Sequence, residues 1–565
     1  MKTNNKIYNI LLCVCTIGVL GYSSCKKYAN PPAVYEDLKP LNAGQRKILV
    51  ISIDGLTGTE LQAVAPTNIA TLQKNSKYTY NTLKTGSDAA GWVSMLTGTS
   101  SVKHQISNDN FERTAGSGVD EHAPIVSYRN VFDYITQYKS VKTAFVTPWL
   151  NLRNYMKNAD FLPVVSTDLA VKDSTVSILN SQTALGTMVV NFRDVEAAGD
   201  NGGYLATNAN YKNAIVKSDE YVGNILTALK ARKNYANEDW LVIVTSNHGG
   251  SSANPTNGFT LVYNPVFKPF ELKKSGFNPV LFNNNSGRAT LSNDNNLYDA
   301  GETKSFTVQM DVKFNSVPTG YASFFSKSTN LSSQVITGWQ WALYPGGKWV
   351  ITVGGSLNGG KGKTETASAD APGTDWHKLT MTVEYVNSTT RNLNMYIDGK
   401  RQTTAATNIS ANKSLSTTEA FRVGHRTGDN DTPTSFYGAN LSYFNTALSE
   451  AVINSNLSLK DITKHSNYAN LIGYWPMDEG TEATFFNKLP VGYNMSLSGV
   501  YSWANLGSAY PPGTTPEPIT STLSIPSTVS DVSALALYWM NINILADFGF
   551  DGKPYLKNFE LEFLK

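Results

Sequence analysis

The hydrophobic pattern of the chain changes its period part-way along. From Lys47 to Ile53 a short apolar, β-branched run stops at Asp54-Gly55, the form of a strand buried on both faces that presents a side chain at its carboxyl end. Farther on, Tyr211, Ala214, Ile215, Ser218, Val222, Ile225, Leu226 and Leu229 recur at helical spacing. A second strand-like run, Trp240 to Val244, follows and ends at Thr245-Ser246-Asn247-His248-Gly249-Gly250. Strand, helix and strand in this order predict an α/β doubly wound sheet with polar groups at its edge. After about Asn283 the grammar becomes one of short alternating segments, Ser305 to Phe314, Trp339 to Leu343, Trp349 to Val353, Leu379 to Val386 and Leu393 to Ile397, separated by Gly, Asn, Ser and Thr. That alternation predicts an all-β jelly-roll sandwich. Pro511-Pro512-Gly513 ends it, and an apolar helix-like stretch, Val532 to Ile544, precedes Asp551-Gly552-Lys553.

Length agrees with this division, since 565 residues exceed what one core organises and two or three domains are expected. A formal charge of +3 with no long basic run argues against nucleic acid as a partner. At the N-terminus, Lys2 and Lys6 precede an apolar run, Ile7 to Leu20, which ends at Gly21-Tyr22-Ser23-Ser24-Cys25. This is the pattern of a secretory signal, and the run is too short for a confident membrane-spanning helix. All three cysteines, Cys13, Cys15 and Cys25, lie here, so a chain cleaved before Cys25 has no internal disulfide. A leading cysteine after small residues resembles the acylation site of bacterial lipoproteins. The resemblance implies a signal peptide over 1–24, a lipid anchor on Cys25, a tether over 25–45 carrying Pro31, Pro32 and Pro40, and a place on the membrane of the cell envelope.

The first α/β region resembles the alkaline phosphatase superfamily, in particular its nucleotide pyrophosphatase and phosphodiesterase branch. The resemblance rests on Ile51-Ser52-Ile53-Asp54-Gly55, on Gly91-Trp92-Val93-Ser94-Met95-Leu96-Thr97-Gly98 followed by Lys103-His104, and on Thr245 to Gly250. Thr522 to Asp551 is similar to that family's closing strand and helix. The resemblance therefore implies one domain made of residues 46–282 and 515–565, interrupted by an insert over 283–510. The insert resembles laminin-G or concanavalin-A-like modules through Asp375-Trp376-His377-Lys378-Leu379, Met395 to Lys400, and Phe436 to Leu441 leading to Ala447-Leu448-Ser449. Leu471 to Leu489, with Trp475, is also similar to such modules but lies after their usual end, so it belongs either to the sandwich or between the domains.

In the family, two metal ions, usually zinc, assist attack by a Ser or Thr hydroxyl on phosphorus. Asp54 matches the first carboxylate ligand. The nucleophile position falls on Asp88, beside Ser87. Glu196-Ala197-Ala198-Gly199-Asp200 stands where the family has Asp-x-x-Gly-His, and Asn247-His248 where it has Asp-His. The last metal-binding histidine has no counterpart, because beyond His248 only His377, His425 and His465 remain, within or beside the insert. The set Asp54, Asp88, Glu196, Asp200, Asn247 and His248 is rich in hard oxygen and suits Ca, Mg or Mn better than paired Zn. An inactive scaffold, a one-metal hydrolase and a structural cation site all satisfy it. His104 reads as a packing residue. The preferred expectation is a binding lipoprotein with a degenerate phosphohydrolase-like domain and a sandwich whose partner is a glycan or envelope protein; the alternative is an active phosphodiesterase or sulfatase-like hydrolase. Trp339, Tyr344, Trp349 and Tyr437 are candidate sugar platforms or core residues, and Asp429, Asn430 and Asp431 a candidate calcium loop.

Overall fold

The computed structural model describes residues 45–113, 127–283, 286–318, 320–329, 336–355, 362–425 and 432–564. The signal segment, the Cys25 anchor, the tether up to residue 44 and the loop residues Asp429, Asn430 and Asp431 lie outside the described residues. Among the described residues no helix is long and apolar enough to cross a membrane.

The strands of the α/β part are β1 (Gln45–Ile53), β2 (Ser76–Thr82), β3 (Lys142–Val146), β4 (Leu185–Phe192), β5 (Glu238–Thr245), the two-residue β6 (Gly249–Gly250) and β7 (Pro255–Thr256), β8 (Gly258–Tyr263) and β9 (Phe270–Glu271). Seven of them form one sheet in the order β3-β4-β1-β5-β8-β2-β9. β1 runs parallel to β4 and β5 and is covered on both faces. Its alternating residues divide between two cores: Leu49, Ile51 and Ile53 pack with Ile215, Val222 and Leu229 of the helix Ala209–Lys230, while Ile48 and Val50 pack with Trp92 and Val93. Helices therefore cover both faces, as expected. The sheet is mixed, however, because β8 runs antiparallel to β5 and to β2. The link between β5 and β8 holds the small β6–β7 ladder instead of a crossover helix, so the chain returns beside β5 in the opposite direction.

The C-terminal segment packs into the same core. Ile525, Val529, Val532, Leu535 and Trp539 join the cluster containing Ile48, Val50 and Trp92, and Ser533 donates from Oγ to the Met95 carbonyl at 2.6 Å. Gly98 O accepts backbone N–H groups from Asp551 at 2.8 Å and Gly552 at 3.0 Å. Between these two parts the chain leaves and returns side by side, through the bridges Gly276 to Glu517 and Phe277 to Gly507. The helix expected over Val532 to Ile544 is shorter, Asp531–Trp539, and ends before a turn at Asn541, whose φ of 53° is left-handed.

The intervening β part is two facing sheets. One centres on Phe306–Phe314 between His377–Asn387 and Phe436–Phe444, and the other on Gly338–Tyr344 between Ala322–Ser328 and Lys348–Gly355. Val280–Phe282 already pairs in the first sheet, so sandwich pairing starts just ahead of residue 283. Two of the four residues that were either sugar platforms or core prove to be core. Trp339 and Trp349 are both 0% exposed, because they share the inward face of their strands with Trp341 and Ile351 and fill the space between the sheets. Tyr344 and Tyr437 are half-buried nearer the surface, Tyr344 edge-on to Tyr321 and Tyr437 beside Trp376. The stretch whose place was open does both jobs. Leu471–Trp475 pairs with Phe436–Phe444 and buries Trp475 in the sandwich, while Gly480 O accepts from Lys553 Nζ and Glu482 Oε1 from Ser530 Oγ.

Candidate functional site

The carboxyl ends of the parallel strands converge on one cluster of polar groups, as expected for a sheet of this kind. Asp54 follows β1, Glu196 lies in the helix Asp194–Asp200 after β4, and Asn247 and His248 follow β5. Asp88 opens the helix Asp88–Thr97 that comes after β2. Two glycines let these pieces touch. A Cβ on Gly55, whose φ is 71°, would lie 2.8 Å from Glu196 Cα, and one on Gly91 would lie 2.6 Å from the Asn247 carbonyl.

Asp54 is fully buried and saturated: Oδ1 accepts from Ser52 Oγ at 2.7 Å, and Oδ2 from Trp92 Nε1 at 2.9 Å and Asn191 Nδ2 at 2.7 Å. Asp88 accepts from Asn247 Nδ2 at 2.8 Å, and its Oδ1 lies 2.6 Å from His248 Nε2. Its other oxygen accepts from Arg193 Nη2 at 2.7 Å, and the same nitrogen donates to Glu196 Oε2 at 2.9 Å. The Arg193 guanidinium lies 4.3 Å from the centre of the Trp149 ring. Ser87, beside the nucleophile position, donates its hydroxyl to Ser107 O at 2.8 Å, and the Asp88 N–H is taken by Ser252 Oγ at 3.0 Å.

These contacts set the charges. Burial would raise the Asp88 carboxyl, but His248, Arg193 and Asn247 together hold it below the usual carboxylate range. Burial opposes a charge on His248 and on Arg193, and the adjoining carboxylates outweigh it, so both are shifted upward. Glu196 is pushed up to about 8 by burial and then by the charges of Asp88 and Asp54. Burial, followed by the Asp88 charge, moves Asp54 to about 6. Asp88 thus keeps its charge beside a guanidinium while Glu196 holds its proton at neutral pH, and the His248 imidazole is biased toward its charged form.

Asp88, Glu196 and His248 offer ligand atoms that all lie within 4.8 Å of one another, close enough to hold a metal ion. The chemistry of the donors fits one ion. It fits a pair poorly, because both Asp54 oxygens are already hydrogen-bonded and Arg193 occupies oxygens of Asp88 and Glu196. Asp200 stands apart from this group: it is exposed and accepts from Tyr204 Oη at 2.7 Å, because its place at the end of the helix Asp194–Asp200 turns it away from the strand ends. Asn247 reaches the site as a hydrogen-bond donor to Asp88. His104 is buried as a packing residue, with Nε2 3.0 Å from Ser94 Oγ, and burial lowers it to about 4. Sequence reading missed Arg193; the available signal was a lone basic residue directly after a buried strand, three positions ahead of Glu196.

Asp168 anchors this corner by accepting the backbone N–H groups of Arg193 at 2.9 Å and Asp194 at 2.8 Å. Burial moves its carboxyl from 3.8 to about 7 against the effect of those two donors. A raised carboxyl keeps a proton in the folded chain that the unfolded chain has released, so its share of stability is full below the unfolded value and is lost as pH rises through about 7. Asp168→Asn is expected to flatten the fall of unfolding free energy across that window by about 1.4 kcal/mol per pH unit. Urea titrations at stepped pH measure it, and identical slopes in both proteins would refute the assignment.

Residues 48–263 match the family described as type I phosphodiesterase / nucleotide pyrophosphatase. Over these residues the α/β part is similar to that phosphodiesterase family. Residues 283–454 match the concanavalin A-like lectin/glucanases superfamily, and residues 461–556 match a domain family of unknown function. That last match runs from the stretch with the strand Leu471–Trp475 to beyond the helix Asp531–Trp539. No curated protein matches the chain. Among solved structures, murine ectonucleotide pyrophosphatase / phosphodiesterase 5 is 15% identical with a TM-score of 0.27, the match covering 36% of this chain and 57% of that one. A protein in the alkaline phosphatase superfamily from Vibrio parahaemolyticus is 11% identical with a TM-score of 0.30, covering 41% and 64%. For Trypanosoma rangeli sialidase the identity is 14%, the TM-score 0.22 and the coverage 27% and 22%. In each case the chain spans less than two thirds of the other protein.

Proposed function

We propose that this chain is a carbohydrate-binding protein of the cell envelope in which the phosphodiesterase domain acts as a scaffold and does not hydrolyse esters. The observation that carries the proposal is Arg193, whose guanidinium joins Asp88 to Glu196 and supplies the positive charge that a metal would otherwise bring. The nucleophile position holds a carboxylate locked by three partners, and the neighbouring hydroxyl of Ser87 is turned to a backbone carbonyl. The concanavalin A-like match supports a glycan as partner. Location at the envelope, with Cys25 as the lipid anchor, belongs to the same proposal and is supported by the signal-like N-terminus. So does the division of the chain, with residues 46–282 and 515–565 as one domain interrupted by the sandwich; the shared core and the bridged exit and return segments support it.

A second reading, hydrolysis at an altered one-metal site, is favoured by the three-ligand group alone. Asp88, Glu196 and His248 would then hold one ion, Ca, Mg or Mn before Zn given two hard oxygens to one imidazole. Such an ion would polarise an ester oxygen, and it would have to displace Arg193 and the protons on Glu196 and His248. One experiment separates the readings. Purified protein, loaded in turn with Ca, Mg, Mn and Zn, is expected to give no turnover of bis-(p-nitrophenyl) phosphate or p-nitrophenyl sulfate above a metal-only blank. Turnover that disappears in Asp54→Asn would establish hydrolysis and defeat the scaffold reading.

A further inference from the structure

On the face of one sandwich sheet that turns away from the core, three neighbouring strands bring a lysine, an aspartate and an asparagine together. Asp311 lies in the middle strand, Phe306–Phe314, between the core residues Met310 and Val312. Lys378 stands opposite it in His377–Asn387, and Asn440 comes from Phe436–Phe444 on the other side. The pairing with that last strand is irregular between Gln309 and Asp311, and Asn440 sits at the irregularity with a left-handed φ of 51°. The bulge turns its amide onto the face of Asp311. Lys378 Nζ lies 2.9 Å from each carboxylate oxygen, and Asn440 Nδ2 donates to Oδ2 at 2.8 Å. One oxygen of Asp311 therefore holds both the amine and the amide.

The surroundings suit a reaction between the two. Asp311 is 1% exposed and Asn440 9%. Thr514 Oγ1 accepts from Asn440 Nδ2 at 2.8 Å, and Tyr474 Oη donates to Asn440 Oδ1 at 3.3 Å. An ion pair kept out of water is costly. Burial lifts the Asp311 carboxyl above the ordinary carboxylate range, against the lowering by Lys378 and Asn440, so it is fit to take a proton from the amine. A lysine relieved of its proton is a nucleophile, and Nζ on its flexible stem has only to cross from Asp311 to the amide bonded to the same oxygen. Tyr474 would then hydrogen-bond the amide oxygen as charge develops on it.

We propose that Lys378 and Asn440 join in an intramolecular isopeptide bond, a covalent staple across the sandwich sheet, with Asp311 as the proton carrier. Asp311 takes one proton from the ammonium, and Nζ attacks Asn440 Cγ to form the new C–N bond. A second proton of Nζ passes by way of Asp311 to Nδ2, the Cγ–Nδ2 bond breaks, and ammonia leaves. Nothing is oxidised or reduced: the new amide keeps one hydrogen, and Asp311 ends as a neutral acid. The bond removes the buried ion pair and ties His377–Asn387 to Phe436–Phe444 across the strand between them, as a disulfide would. All three cysteines precede residue 26, so the sandwich has no disulfide of its own.

Peptide mapping of the purified full chain by mass spectrometry tests this. Without the bond, trypsin releases residues 379–391 and 427–460 as separate peptides. The expected product is a single branched peptide, in which residues 364–391, uncleaved after Lys378, are joined to residues 427–460 with the loss of one ammonia. Fragment spectra should place the bond between Lys378 and Asn440. Lys378→Arg is expected to abolish the branched peptide. Asp311→Asn keeps the shape of the side chain but cannot carry the proton, and is expected to slow its appearance about a hundredfold or more in samples taken over days. Separate peptides from the wild-type chain would overturn the bond, and that digest decides the matter whether or not either variant folds. A branched peptide that appears as fast in Asp311→Asn would overturn the role given to Asp311.

Discussion

Replacement of Arg193 by alanine is expected to destabilise the folded chain by about 3 kcal/mol at neutral pH, and millimolar calcium or manganese is expected to return a large part of that loss. The expectation follows from the charge balance at the strand ends. Arg193 is the donor shared by Asp88 and Glu196, and those side chains are only 5% and 4% exposed. Without it, Asp54, Asp88 and Glu196 stand together with no guanidinium among them. Breaking a buried pair leaves an uncompensated charge, which costs more than the pair contributed. Asp88, Glu196 and His248 would then be free to take a divalent ion, and a ligand that binds only the folded state stabilises it. Thermal unfolding with and without each cation measures both halves. A variant as stable as the wild type, or one indifferent to cations, would show that Arg193 does not hold the place of a metal.

Trp539→Ala is expected to cost about 3–5 kcal/mol and to loosen the α/β part as a whole, although the residue lies beyond the entire sandwich in sequence. Its ring is 0% exposed, packs edge-on against Phe267, and donates Nε1 to Asp239 O at 3.1 Å. The Arg46 guanidinium lies 4.7 Å from its centre, so the two ends of the described chain meet at this indole. Truncation would open a cavity in the core that includes Ile48, Leu241 and Val262 and leave the Asp239 carbonyl without that donor. Hydrogen exchange of β1 and β5 amides is the discriminating measurement. Faster exchange confined to the C-terminal segment, with β1 and β5 as protected as before, would mean that the segment is an accessory and not part of this core.

Much of the architecture was legible because it depends on local period. The unbroken run ending at Asp54 predicts a buried parallel strand, and the alternating segments after Asn283 predict a sandwich. Both elements form as read, Gln45–Ile53 and strands such as Phe306–Phe314. The antiparallel β8 was not legible, since strand direction depends on where the chain returns and not on which residues alternate. The same limit explains Trp339 and Trp349: an indole on an alternating strand looks alike whether its face meets a second sheet or a sugar, and only the packing of the two sheets decides.

By itself, then, the sequence determined the order of the domains and brought Asp54, Asp88, Glu196, Asn247 and His248 forward as the groups at the strand ends. The tertiary structure decided what they do there. It set Asp200 facing Tyr204 and closed Asp88 and Glu196 around Arg193. Period and spacing are properties of neighbours along the chain. The partner of a buried charge is a property of neighbours in space: Arg193 and Asp88, 105 residues apart, meet because the folded sheet brings the ends of their elements together.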